Sequence, residues 1–367
     1  MRLDPKCLQF VGIPVMLALI ASAYAVPGRS AENEARLLVS ENAYNPIPSP
    51  DGRFIAYVAT GWGRRFPNEI AFSGGRSVLV SDVELMDPFG KVLTRYFARR
   101  NFLAGWTPDS KAVVCYRDWR YSLVAISGQI LEAGEIPETP AGRYERVAFL
   151  SDIRRVAWLE PDPAPNQIGA FLRTATERLF HLDHKGMLAP SPDGRYLAVV
   201  SSPGEALWVY DRVLLHWAHL GSVAIHPAED WGYIMPSWDP WFADSSRLVF
   251  FSGSNLIVSS PDGEIKQILL KTDQPAGLAV PSPNGESVSY VTFKSRAMKN
   301  RPDLKFWADT VVWVTPTVEG GIPRALTEAD SATTSGLRWL GDDSLVFDRI
   351  DENVMAMHAR IWKVSVR

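Results

Sequence analysis

Residues 190–200 read Pro190-Ser191-Pro192-Asp193-Gly194-Arg195-Tyr196-Leu197-Ala198-Val199-Val200. Proline presets φ, an aspartate side chain can bond the backbone two residues on, and glycine takes φ > 0 without a Cβ clash. The apolar run after the turn carries no polar face, as a strand buried between two layers requires. The stretch therefore predicts a strand, a tight turn and a buried strand. It recurs at residues 48–58 (PSPDGRFIAYV) and 281–291 (PSPNGESVSYV). Weaker copies keep an aromatic, an acid three residues later and then an apolar run: WTPDSKAVVCY from Trp106, FLSDIRRVAW from Phe149, WFADSSRLVFF from Trp241 and WLGDDSLVF from Trp339.

The turn residues are Asp51, Asp109, Asp152, Asp193, Asp244, Asn284 and Asp342, so successive spacings are 58, 43, 41, 51, 40 and 58 residues. A period in the forties with four strands per unit is the pattern of a β-propeller. The SPDGRxIA-type stretch resembles the repeat of TolB-like, or WD-repeat-like, propellers, which also occurs in prolyl-oligopeptidase-type enzymes. The resemblance covers roughly residues 35–367, with three good copies and four degenerate ones. It implies an all-β fold and is nearly silent on activity. TolB-like proteins carry an α/β domain ahead of the propeller, for which residues 26–34 leave no space.

The ends of the repeat region bear on closure. Arg36-Leu37-Leu38-Val39-Ser40-Glu41 resembles Arg324-Ala325-Leu326-Thr327-Glu328-Ala329, the last strand of the sixth unit, whereas the seventh unit supplies three strands and no fourth. An N-terminal strand completing that unit closes the ring and removes exposed sheet edges. The expectation is seven four-stranded blades, with six as the alternative. Residues 1–25 read as a secretory signal peptide: Arg2 and Lys6, a mostly apolar run over residues 10–21, and Ala23-Tyr24-Ala25 as an A-x-A site before Val26. Residues 26–34 read as a linker and 35–367 as the propeller domain. After cleavage no membrane span is expected, the location is periplasmic or secreted, and Cys115 is the one remaining cysteine, placed in a buried strand.

The chain of 367 residues has 38 basic and 41 acidic side chains, a formal charge of −3, which gives no nucleic-acid signal. There is no G-x-S-x-G, H-E-x-x-H, C-x-x-C or phosphate-binding glycine loop, so no cofactor is expected. Among the inner strands only Asn45 and Asp239 offer donors to a channel metal. His216 and His219, three apart on an outer strand, fall on opposite faces and share no metal. The expected metal and catalytic sets are both empty.

In a propeller, A–B and C–D turns share one face, and B–C loops and D–A connections share the other. Here the first kind is short and the insertions fall on the second: residues 61–76, 160–167, 221–240, 294–309 and 351–358. Long loops on a rigid scaffold carry function. Two patches are candidates. Lys294, Arg296, Lys299, Arg301 and Trp307 of the blade 6 loop, with Trp62, Arg64 and Arg65 of the blade 1 loop, make a basic, aromatic lobe suited to an acidic partner, a glycan or a lipid head group. Asp230, Trp231, Tyr233 and Trp238 before blade 5 form a second patch able to stack on a sugar. The expected function is a non-catalytic binding or scaffold protein of the bacterial periplasm or cell envelope with a protein or glycan partner. The alternative is a propeller hydrolase or lyase acting on a carbohydrate or other extracellular substrate.

Overall fold

The computed structural model describes residues 35–40, 42–61, 80–96, 102–117, 120–135, 147–161, 170–174, 176, 178–182, 186–201, 206–223, 238–298, 301–329, 334, 336–350 and 359–367. These residues form strands and turns only, with no helix long and apolar enough to cross a membrane. Seven antiparallel sheets follow one another around a ring, each ordered from an inner strand A to an outer strand D. The inner strands are Ala43–Pro48, Phe102–Trp106, Val147–Leu150, Gly186–Pro190, Ala276–Pro281 and Leu337–Leu340 in blades 1, 2, 3, 4, 6 and 7. Blade 5 differs. Its ladder has three strands, and in place of strand A the segment before blade 5 makes a lone bridge, Trp241 to Leu248. The inner strand expected over Pro-Ser-Trp-Asp-Pro-Trp is therefore reduced, because Pro240 has no N–H to give the ladder. Its carbonyl still accepts from the Val249 N–H at 2.9 Å.

The N-terminal strand closes the ring as its sequence suggested. Arg36–Val39 pairs with Arg360–Ser365 on the outer edge of blade 7, with Arg36 opposite Lys363 and Val39 opposite Ile361. The seam is also bridged inside, where the Ala43 N–H donates to Ala359 O at 2.9 Å.

The repeated turn works as its composition implies. In blade 4 the Ser191 hydroxyl donates to Asp193 (2.6 Å) and accepts from the Tyr196 N–H (2.9 Å), Asp193 accepts from the Arg195 N–H, and Gly194 sits at φ 77°. Blades 1 and 6 repeat this around Ser49–Asp51 and Ser282–Asn284. So does the C–D turn of blade 5, where Ser260 donates to Asp262, which explains why that turn mimics the main repeat.

The strong and weak copies are clasped in pairs. Trp106 of blade 2 donates through Nε1 to Ile47 O of blade 1 (2.8 Å), Trp241 of blade 5 to Ala189 O of blade 4 (2.9 Å), and Trp339 of blade 7 to Val280 O of blade 6 (3.0 Å). The turns repeat the pairing: Asp51 N–H donates to Ser110 Oγ, Asp193 N–H to Ser245 Oγ and Asn284 N–H to Asp342 Oδ1. Ser110 (φ 59°) and Ser245 (φ 61°) stand in the left-handed region that glycine fills in the strong copies. Each thus accepts backbone strain and gains a hydroxyl that ties its blade to the one before. The core lies between blades, as in the cluster of Tyr44, Val58, Leu103, Trp106 and Cys115 shared by blades 1 and 2. Cys115 is buried there and burial pushes its thiol pKa up, so it serves as a core residue.

Candidate functional site

Two places combine unusual geometry with chemistry: the axial channel and the hairpin that projects from blade 6.

The channel encloses a cavity of about 550 Å³. Its walls are set by the repeat. The residues immediately before the turn acids line it in all seven blades, four as proline (Pro50, Pro108, Pro192 and Pro283) and the rest as Ser151, Ala243 and Gly341. Two positions further back stand Pro48, Pro190 and Pro281, each followed in the next blade by Trp106, Trp241 or Trp339, with Phe149 in blade 3. Into this apolar tube project Asn45, Asp239 and Arg338. Inner strands 1, 2 and 6 carry register shifts at Tyr44/Ile47, Leu103/Gly105 and Gly277/Val280. At these bulges Asn45 (φ 52°) and Leu278 (φ 53°) take left-handed conformations. Bulges re-aim side chains, and here one aims Asn45 into the channel. Its Nδ2 donates to Leu103 O at 3.4 Å.

Arg338 is only 6% exposed and donates through Nη1 to Leu337 O at 2.7 Å. Burial lowers its pKa, and the negative charges of Asp239 and Asp348 oppose that shift. Asp239 touches water along the channel wall but is enclosed by the surrounding blades. That enclosure is the main influence on its carboxyl and raises its pKa, with Arg338 and the Trp241 N–H pulling the other way. Behind them Asp348 is fully buried in blade 7. It accepts the Asn45 N–H at 2.8 Å across the ring seam and the Gly336 N–H at 2.8 Å. A Cβ on Gly336 would stand 3.2 Å from Asp348 Oδ2 and from Pro46 Cδ, a tight contact that would push on the carboxylate, so glycine suits this approach. Sequence reading found Asn45 and Asp239 but passed over Arg338 and Asp348, which lie within ordinary strand patterns.

The second place corrects an expectation. Residues 294–309 were expected to be a loop, but the described ones, 294–298 and 301–309, continue the B and C strands of blade 6. Ser287–Met298 and Arg301–Pro316 pair from Ser287 opposite Pro316 to Met298 opposite Arg301. In blade 4 the corresponding ladder ends after six pairs. The extra pairs, from Lys294 opposite Ala308 outward, carry the hairpin about 16 Å further at 3.3 Å per residue. At its base Asp309 (φ 50°) gathers two of the candidate cations: Lys294 Nζ lies 3.3 Å and Arg296 Nη2 2.6 Å from Asp309 Oδ2. Arg301 stands opposite Met298 and Trp307 opposite Ser295 in the register. Asp309 was missed because it sits at the far end of the cationic run. Lys299, Trp62, Arg64 and Arg65 lie outside the described residues, as do Asp230, Trp231 and Tyr233. Trp238 is 6% exposed and packs with Trp241 and Phe250 between blades, so it fills space there. Among the described residues no three His, Cys, Asp or Glu side chains gather at one point. His219 instead stacks on Trp208 at 4.4 Å.

No protein-family model matches the chain, and no curated protein matches it. Solved structures of like fold do. The β-propeller domain of Myceliophteria thermophila Cps50 (Swd1) superposes with a TM-score of 0.58 at 11% identity, over 91% of this chain and 100% of that one. An oligogalacturonate lyase in complex with manganese gives 0.57 at 13% identity, over 91% and 93%. A putative TolB from Agrobacterium tumefaciens gives 0.43 at 12% identity, over 76% and 94%. Likeness at these identities concerns fold. The propeller that the TolB-like, WD-repeat-like resemblance implied is the fold of this chain.

Proposed function

We propose that the protein is an exported, non-catalytic binding or scaffold module of the bacterial periplasm or cell envelope. It takes a protein or glycan partner at the face bearing the long B–C and D–A connections. The observation that carries this reading is the blade 6 hairpin. A ladder continued well past the blade, with two cations held on one carboxylate at its base, is a preformed arm, and preformed arms lower the entropic cost of docking. Arginine and tryptophan positions along it suit an interface. The test replaces residues 295–307 by a two-residue Asn-Gly turn, which leaves Lys294 and Ala308, already opposite each other, flanking it. The shortened protein should keep the wild-type melting profile and lose the partner that the wild-type protein retains from envelope extract. Retention of that partner by the shortened protein overturns the reading.

One observation favours a second reading, a hydrolase or lyase of a carbohydrate or other extracellular substrate. Asp239, with its raised pKa beside buried Arg338 in a channel of about 550 Å³, is the kind of acid that enzymes place in clefts. A neighbour of like fold is an oligogalacturonate lyase. Turnover of an oligosaccharide that disappears in Asp239→Asn would establish this reading in place of the first.

A further inference from the structure

The walls of the axial channel have their hydrogen-bond donors already engaged. The prolines that line it, among them Pro48, Pro108 and Pro192, have no N–H to offer. The indole N–H groups of Trp106, Trp241 and Trp339 are committed to the carbonyls of Ile47, Ala189 and Val280. The hydroxyls of Ser49, Ser191 and Ser282 donate within their own turns, to Asp51, Asp193 and Asn284. Asn45 gives Nδ2 to Leu103 O, and Arg338 gives Nη1 to Leu337 O while it faces the charges of Asp239 and Asp348. An anion in this channel therefore meets a wall of apolar carbon and occupied donors.

Asp239 has the opposite character. It borders the channel space, although the blades enclose it. A carboxylate has about four acceptor positions, and Asp239 takes the Trp241 N–H on one of them. The charge balance points the same way. Asp239 and Asp348 face the single cation Arg338, so among the described residues this cluster carries one negative charge in excess. Enclosure makes the charge on Asp239 costly, and a cation brought beside it relieves that cost. A metal ion would call for several such groups converging, and among the described residues no three gather.

The apolar part of the wall is fixed in advance. Trp106 stacks on Phe54 and Trp241 on Tyr196, with ring centroids 6.2 and 5.8 Å apart, and each indole N–H pins its ring to the blade before. A preformed wall of this kind orders little on binding, which favours affinity. Tryptophan is also the side chain whose ring best attracts a cation. The cavity of about 550 Å³ is of a size that takes a whole small molecule.

We propose that the axial channel binds a small organic amine, an apolar body carrying one ammonium group, with the ammonium on Asp239 and the body against the tryptophan and proline walls. The ammonium brings the donors that the wall lacks and the positive charge that the cluster lacks. None of the described residues of the blade 6 arm lines the channel, so this site and the arm stand or fall separately.

Isothermal titration calorimetry at neutral pH tests this with three probes of one shape: 1-naphthylmethylamine, 1-naphthylmethanol and 1-naphthoate. The wild-type protein should bind the amine at least about tenfold more tightly than the alcohol and give no heat with the naphthoate. Asp239→Asn should bind the amine and the alcohol alike. Ala243→Trp fills an exposed position on the channel wall and leaves Asp239 in place. It should weaken the amine by about tenfold or more, because the indole takes space that the apolar body needs. The variant shortened in the blade 6 hairpin should bind the amine as the wild type does, whether or not it keeps its envelope partner. Equal wild-type affinity for amine and alcohol, preference for the naphthoate, or no binding of any probe overturns the proposal. So does an amine affinity left unchanged by Asp239→Asn or by Ala243→Trp.

Discussion

Asp348→Asn is the most informative single change, because it tests the ring seam and the channel charges together. Asp348 is fully buried and accepts two N–H groups at 2.8 Å, from Asn45 of blade 1 and Gly336 of its own blade. It also supplies one of the two negative charges facing buried Arg338. An asparagine keeps one acceptor but turns an NH2 towards the other N–H, losing a charge-assisted bond of about 1.5–3 kcal/mol. Removing one partner of a buried charge costs about 3–5 kcal/mol, mostly because the other charge is stranded. These losses overlap in one network, so the expected total is about 3–5 kcal/mol rather than their sum. With an unfolding entropy of about 2.1 cal/mol/K per residue, a domain of this length should lose about 4–7 °C in Tm. Differential scanning calorimetry at neutral pH reads this directly. Adding Arg338→Met should recover at least half of the loss, because it removes the buried cation left facing Asp239 alone. A Tm within about 1 °C of wild type refutes the seam argument. An uncorrected loss in the double variant refutes the charge argument and leaves the hydrogen bonds alone responsible.

The remaining predictions concern the channel acid and the closing strand. Burial raises the pKa of Asp239, so the folded state holds that proton more tightly than the unfolded chain does. The stability it lends is present at low pH and lost as pH rises from the ordinary value of 3.8 through the raised one. Wild type should therefore fall in Tm relative to Asp239→Asn over that window, and a flat difference across it would show the carboxyl to be better solvated than the channel implies. Deleting residues 35–42 strips blade 7 of its outer strand and should produce marked destabilisation or aggregation, visible by light scattering. A truncated protein that melts like wild type contradicts closure by that strand.

The fold was readable because its turn chemistry is local. Ser191, Asp193 and Gly194 satisfy one another within a few residues, and that constellation survives in sequence wherever the turn does. Closure by the N-terminal strand was readable too, from its likeness to Arg324-Ala325-Leu326 and the missing fourth strand. The pairing of blades was half visible. The long spacings of 58, 51 and 58 residues fall within the three clasped pairs. What the spacing cannot convey is the clasp, a Trp Nε1 donating to a carbonyl 52 or 59 residues away. The inner segment of blade 5, which its place before the repeated turn assigns to a strand, makes only a lone bridge at Trp241, and Pro240 breaks its ladder.

The site was less legible, for a reason that also decides how it should be probed. Arg338, Asp348 and Asn45 come from strands that read as ordinary core, and what brings them together is a bulge and a ring seam spanning 303 residues of sequence. The cations of blade 6 were visible as composition, but their state depends on register. Because Lys294 and Arg296 both lean on Asp309, reversing Arg296 is not a neutral surface change: it sets a glutamate against a carboxylate whose side chain is only 14% exposed. Reversal of Lys299 and Arg301 avoids that conflict. Arg195 is unsuitable as a control on the other face, since it holds Asp211, which accepts the Val213 and Leu214 N–H groups of the blade 4 C–D turn. Arg53, 70% exposed at its side chain and paired only within its own turn, can be reversed with little effect on folding. If reversal of Arg53 weakens partner retention while Lys299→Glu with Arg301→Glu does not, the partner docks on the C–D turn face, and the reading of the blade 6 hairpin as the docking arm is wrong.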